Sequence, residues 1–394
     1  MPGPQPAGAR LIMHPATRAL LDLYRDPARA AQLSGADWPA LFGAMRRGRC
    51  MGPLGVRLRQ AGVMASLPAP VQGQFETALM TAADRRHLLR WELAELARAL
   101  APLGAPVVAL KGAAYELQGL PMAQGRTPAD VDLLVARDQL VRAETLLKGA
   151  GWCAEPMDDY DERYYREWSH EIAPLRHPAR RIEVDLHHAV TPSLKGAGVD
   201  TERLLAQARA CGAFQVLAPA DQVIHCALHT FKDSDLGGRL REVMDFDQLV
   251  RAFGADDAPA FSARLWARAG ELGALRELGL AVRCARRWLG TPVAGSAAAT
   301  AEGSAALSAD VRPVVLADVR PVVPADDGPR TLFDRLLDAA MLPGEYQQPG
   351  PAARGARWLM LMRYHLNRMP LSRLLPHLLR KSWQGLRRPP AAPN

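Results

Sequence analysis

The chain has 394 residues, 49 Lys and Arg against 41 Asp and Glu, a formal charge of +8 at pH 7, and 48% hydrophobic residues. That length allows two or three domains around a sizeable core, and the positive charge suits either an anionic ligand or simply an Arg-rich composition. Five scattered cysteines without a C-x-x-C pair argue against a disulfide framework or zinc ribbon, and the absence of a signal-peptide pattern or an apolar run of about 20 residues points to a soluble cytoplasmic protein.

Residues 1–15 are rich in Pro and Gly and are expected to be disordered. Residues 16–103 read as a helical region. Asp37-Trp38-Pro39 marks a helix start, with proline in the first turn. From Gln74 to Leu100, Phe75, Leu79, Leu88, Leu89, Leu93, Leu96 and Leu100 recur mostly at three- and four-residue spacings, the pattern of an amphipathic helix. Arg85, Arg86 and His87 fall on its solvated face, the alternative being a nucleotide contact.

The chemistry concentrates between Val107 and Val135. Val107 to Leu110 is a short apolar strand that stops at Lys111-Gly112, and Ala113 to Gly119 is the helix after it. The loop from Pro121 to Pro128 carries Gly125 and Arg126. Ala129 to Val135 is a second strand. Side chains alternate along a strand, so Asp130 and Asp132 share one face while Val131 and Leu133 enter the core. Two adjacent carboxylates repel, and a divalent metal is the common remedy. Arg126, four residues before Asp130, can hold the acids apart or grip phosphate oxygens in a bidentate way.

Arg137 to Gly149 reads as a helix ended by glycine, followed by Gly151-Trp152 and a Tyr- and acid-rich stretch over 156–168. Ser169 to Ala189 reads as two extended runs joined at His177-Pro178-Ala179-Arg180, a hairpin. In its second run Ile182, Val184 and Leu186 alternate with Glu183, Asp185 and His187. A third carboxylate is therefore available at Glu183 or Asp185. His188 points the other way and is structural.

Leu110-Lys111-Gly112, Arg126, Asp130-Val131-Asp132-Leu133-Leu134-Val135 and Asp185-Leu186-His187 together resemble the family of uncharacterised nucleotidyltransferases, within the DNA polymerase beta-like superfamily. The likeness covers about residues 35–255. It implies an α+β fold: a nucleotidyltransferase-like mixed sheet core over 104–190, with N- and C-terminal helical regions. It implies transfer of a nucleoside monophosphate from an NTP, ATP first, to an unidentified hydroxyl-type acceptor. It places Mg2+ (or Mn2+) on Asp130, Asp132 and Asp185, and nucleotide contacts at Lys111, Gly112, Arg126 and His187. The superfamily turn carries Gly-Ser where this chain has Lys111-Gly112, and Lys111 would offset phosphate charge in place of the serine hydroxyl. Gly112 would let backbone N–H groups and the following helix N-terminus approach the triphosphate.

Residues 191–294 are expected to be a helical region packed on the core. Asp221 is a candidate N-cap before Gln222 to Phe231. His225 and His229 stand at i and i+4 on that helix, but no Glu follows the first, so the H-E-x-x-H motif is absent and structural or substrate-facing roles are favoured over zinc. The resemblance puts His229 on the active-site side. Arg239 to Val250 is an amphipathic helix, with Asp245 read first as a salt-bridge partner. Residues 295–330 are a Pro- and Ala-rich linker in which Ala309-Asp310-Val311-Arg312-Pro313-Val314-Val315 recurs at Ala317 to Val323. Residues 331–394 form a basic C-terminal helical region, with helices around Leu332–Ala340 and Ala356–Asn367 and a tail from Arg373 to Arg388 docked on the domain or loosely ordered. Two other readings stay open: a non-catalytic relative that binds nucleotide or protein, and a basic adaptor for RNA or membrane, for which no RNA-binding fingerprint is present.

Overall fold

In the computed structural model the described residues are 13–155, 169–191, 198–232, 236–293, 331–343 and 351–368. The expectations for most of 1–15, for the stretch 156–168, for the 295–330 repeat and for the basic tail lie outside them.

The N-terminal region is helical. α1 (Pro15–Arg25), α2 (Trp38–Arg47) and α3 (Met51–Gln60) lead to α4 (Ala69–Leu100), whose 32 residues span about 48 Å at 1.5 Å per residue. The apolar stripe read from the sequence is the buried one: Phe75, Leu79, Leu89, Leu93, Leu96 and Leu100. Arg86 stands in line with that stripe, between Ala82 and Leu89, and is half-buried against Glu116 at 2.7 Å, so it does not lie on the solvated face expected for it.

A mixed sheet follows. Its strands are β1 (Val108–Ala109), β2 (Asp130–Leu134), β3 (Cys153–Ala154), β4 (Leu175–Arg176), β5 (Glu183–His187), β6 (Arg209–Cys211) and β7 (Phe214–Val216). Among the described residues their order is β3-β4-β5-β2-β1-β7-β6. β2 runs parallel to β5 and antiparallel to β1, and β1 runs parallel to β7. Val131, Leu133, Val184 and Leu186 are fully buried, which fixes the face that the charged residues occupy. Between the strands lie α5 (Lys111–Leu117) and α6 (Leu140–Gly149).

The sheet extends past the 104–190 core. The 191–294 region, expected to be helical, also carries strand: β6 and β7 form a hairpin there and β7 joins the edge of β1. A pair of three-residue strands around a tight Gly212 turn leaves little periodic signal among long helices. α7 (Thr201–Leu205) precedes the hairpin, and α8 (Pro219–Phe231), α9 (Leu240–Phe253), α10 (Ala258–Glu271) and α11 (Leu275–Leu289) follow it. α12 (Leu332–Met341) and α13 (Pro351–Arg368) complete the described chain. Asp221 is not the N-cap of α8. Pro219 starts that helix, and Asp221 is buried in its first turn against Arg268, with Nε at 2.7 Å and Nη2 at 3.1 Å.

Two contacts hold the site-bearing segments in place. The loop before β2 lies directly on α3: a Cβ on Gly52 would sit 2.1 Å from the Gly125 carbonyl oxygen, and a Cβ on Gly125 would sit 2.5 Å from the Gly52 backbone. Only two glycines allow this approach, and Arg126 is the next residue. The β4–β5 hairpin is tied to α4 through its turn. Arg180 donates to Glu95 at 2.8 Å and lies 4.5 Å above the Trp152 ring, while the Trp152 indole donates to Glu92 at 3.0 Å. The Gly-Trp pair after α6 thus anchors the hairpin that carries Asp185.

Candidate active site

The register of β2 and β5 builds the site. Asp132 lies directly beside Asp185, and Asp130 beside Glu183. Period-two alternation puts all four acids on one face. Glu183 is drawn away by Arg176, whose Nε and Nη2 reach the same carboxylate oxygen at 2.8 and 2.7 Å. Asp185 is left facing Asp132.

Asp132 is the buried centre of the cluster. Lys111 Nζ donates to its Oδ1 at 2.7 Å, and His187 Nε2 lies 3.0 Å from the same oxygen. Burial alone would raise its pKa, but Lys111 and His187 together hold it well below the usual carboxylate range. Asp130 stands at the open end of β2. The recess around it still strips water from its carboxyl, and with the neighbouring Asp132 charge this raises its pKa. For Asp185, burial first and then Asp132 and Glu171 push the pKa up to about 7. Its Oδ1 is buried without a hydrogen-bond partner among the described residues. A buried carboxylate oxygen in that state costs free energy unless something positive arrives.

The positive residues fall into two groups. Lys111, at the end of β1, adopts φ +45, a left-handed conformation unusual for a residue with a side chain. That backbone turns its ammonium toward Asp132. Arg126 is placed differently. It forms a buried ion pair with Asp245 of α9, and its guanidinium carbon lies 5.5 Å from the centre of the Tyr115 ring. A Cβ on Gly112 would be 3.6 Å from Arg126 Nε, so the Lys111-Gly112 turn and Arg126 line one recess. Asp245 is the salt-bridge partner it was read to be, and what it holds is Arg126.

His187 is 1% exposed and sits beneath the acids. Besides Asp132, its Nε2 faces Glu171 Oε2 at 3.3 Å. His170, Glu171 and His187 bring donor atoms within 4.8 Å of one another, a group able to coordinate a metal ion. The sequence reading missed His170 and Glu171, and the reason is a register slip. Leu175 opposes Val184, which in a regular hairpin would set Ile172 opposite His187; the structure sets Glu171 there instead. One extra residue between the two pairings makes a bulge, which turns Glu171 to the charged face and leaves Ile172 buried.

From α8, His225 and His229 come up beside the site and join no three-residue donor cluster among the described residues. Burial, then the charges of Lys111 and His187, push His225 down to about 3. Burial, then Lys111 and Arg239, push His229 well below its ordinary value. Both are neutral walls of the recess. His188, expected to be structural, packs against Arg137 at 2.8 Å on the other face.

A family model described as an uncharacterised nucleotidyltransferase matches residues 34–290. No curated protein and no solved structure matches the chain. No helix among the described residues is long and apolar enough to cross a membrane.

Proposed function

The chain belongs to this family of uncharacterised nucleotidyltransferases, and on that premise we propose that it transfers a nucleoside monophosphate from an NTP to a hydroxyl-type acceptor. The observation that carries the reading is the in-register set of Asp130, Asp132 and Asp185 on adjacent parallel strands, with one buried Asp185 oxygen lacking a partner. These donors are all oxygens, which suits Mg2+ or Mn2+. Bound there, the cation would polarise the phosphate and acidify the acceptor hydroxyl.

The chain's own groups do the rest. Lys111 and Arg126 offset the triphosphate charge from two sides of Gly112, whose missing side chain leaves room for a phosphate beside the Arg126 guanidinium. Asp245 fixes Arg126, and His187 fixes Asp132. Asp185, beside Asp132 on the neighbouring strand, accepts the proton of the acceptor hydroxyl. The acceptor oxygen bonds to the α-phosphorus, the bond from that phosphorus to the β-bridging oxygen breaks, and pyrophosphate leaves. ATP is the first donor to test, and the five free cysteines fit a reducing compartment such as the cytoplasm.

The test incubates the protein with each of four α-labelled NTPs, Mg2+ or Mn2+, and a cell extract as acceptor pool. An Asp130→Ala/Asp132→Ala double variant runs beside it. Label transferred by wild type alone supports the reading and reveals base and acceptor class. No transfer, with equal Mg2+–NTP binding by both proteins, leaves a non-catalytic binding protein.

A further inference from the structure

The donor types beside the aspartates are not those of a magnesium site. Two imidazoles and one carboxylate converge at His170, Glu171 and His187. His187 Nε2 lies 3.3 Å and His170 Nε2 lies 3.6 Å from the same oxygen, Glu171 Oε2. Two donors each bonded to one tetrahedral ion at about 2.0–2.1 Å stand about 3.4 Å apart. These two edges bracket that value and the third lies within 4.8 Å, so modest side-chain shifts would seat an ion. Imidazole suits zinc-type first-row ions, whereas Mg2+ demands oxygen donors and gives up its water reluctantly.

We propose that His170, Glu171 and His187 form a second cation site, separate from the aspartates and selective for a zinc-type ion over Mg2+. The backbone is built for it. The bridge between Glu171 and His187 and the hydrogen bond from His188 N to His170 O at 2.9 Å clamp the donor-bearing strands side by side. Glu171, whose side chain is 27% exposed, supplies the entry, while the buried His187 forms the floor. Three protein donors leave a fourth position open. Asp132 Oδ1, 3.0 Å from His187 Nε2, is the nearest described oxygen on the floor side. The second ion would therefore sit one side chain away from the proposed Mg2+ ligands and compete with Asp132 for His187. This goes beyond the transferase reading and does not depend on it.

The test is a Co2+ titration of chelator-stripped full-length protein in excess Mg2+, read by visible absorption. Co2+ in a low-coordinate nitrogen and oxygen site absorbs far more strongly than hydrated Co2+. The expected result is one equivalent of absorbing Co2+, displaced by Zn2+ and indifferent to Mg2+. His170→Gln and Glu171→Gln should each weaken binding by about tenfold or more, and Asp130→Asn should leave the spectrum in place. No absorbing Co2+ in folded wild type, displacement by Mg2+, or an unchanged spectrum in Glu171→Gln would overturn the proposal. Glu171 is partly exposed, so that variant stays informative if His170→Gln does not fold. Absence of label transfer by wild type that shows the Co2+ spectrum would sink the transferase reading alone.

Discussion

The acids set in or beside the core of this protein come in two kinds, and they divide by region. In the helical half each is matched. Asp221 holds Arg268. Asp247 receives the Tyr24 hydroxyl at 2.9 Å, the Thr291 hydroxyl at 2.7 Å and Arg251 at 2.9 Å. Asp334 caps α12 through Thr331 and pairs with Arg283 at 2.6 Å and Arg287 at 2.8 Å. On the sheet, Asp132 has Lys111 and His187, and Glu183 has Arg176. Asp130 and Asp185 make no ion pair with a described residue, and they crowd Asp132 from the same strand and from the neighbouring one. An acid satisfied by its own chain holds the fold together. Acids that the chain sets against one another raise one another's pKa and would be eased by a bound cation.

This contrast can be broken most decisively at the sheet. The Asp130→Ala/Asp132→Ala variant should lose label transfer by about a thousandfold or more; its Asp132 change strands Lys111 and costs stability, whereas Asp130→Ala alone, which breaks no ion pair with a described residue, should lose transfer and keep its urea midpoint in chelator near wild type. A single variant that unfolds instead would make Asp130 structural. The helical half should respond in the reverse way. Asp221→Ala removes the buried partner of Arg268, which keeps Glu271 and the Arg203 carbonyl, and should cost about 2–3 kcal/mol in urea unfolding, with no direct effect on nucleotide binding in whatever fraction remains folded. A cost under about 1 kcal/mol would erase the distinction.

His225 marks the border between the regions, and it sharpens the comparison through pH. It is neutral in the fold, with its pKa depressed to about 3 against an ordinary value near 6.5. The unfolded chain takes up its proton first, so this stabilisation is present above pH 6.5 and is lost as pH falls toward 3. By pH 5 the loss should reach about 2 kcal/mol. His225→Gln should flatten that part of the stability profile, as measured by urea unfolding at several pH values. An identical slope in the variant would assign the acid lability to other groups.

Much of the site was legible because it obeys short periods. Asp130 and Asp132 share a face by alternation, and Asp185 reaches the same face by the same rule on a parallel neighbour. What the sequence hid depends on departures from regularity or on distance along the chain. A one-residue bulge brings Glu171 beside His170 and His187, in a cluster able to coordinate a metal ion. The Arg126–Asp245 pair joins residues 119 apart, and no local pattern announces it, although both residues stood out singly. The β6–β7 hairpin is too short for periodicity to register. Asp221 looked like a cap because it precedes an apolar run; Pro219 begins the helix two residues earlier, and only the tertiary partner Arg268 shows what the acid does.

The smallest effect separates the two kinds of acid by sign. In metal-free protein at pH 8, ionised Asp185 lies beside ionised Asp132, with one oxygen buried and unpartnered. Replacing it with Asn removes a charge that the apo fold opposes and keeps the shape. Asp185→Asn should therefore raise apo stability by about 1 kcal/mol, a value discounted for screening by solvent at the mouth of the recess. Asn at Asp221 or Asp334 should lower stability, since each of those charges answers an arginine. Added Mg2+ and NTP should stabilise wild type and reverse the ranking, because the variant gives up a ligand to gain its stability. Thermal melts of both proteins, with and without Mg2+–NTP, give the four values required. If Asp185→Asn is less stable than wild type in chelator, Asp185 belongs with the structural acids, and the assignment of the third carboxylate to the site fails with it.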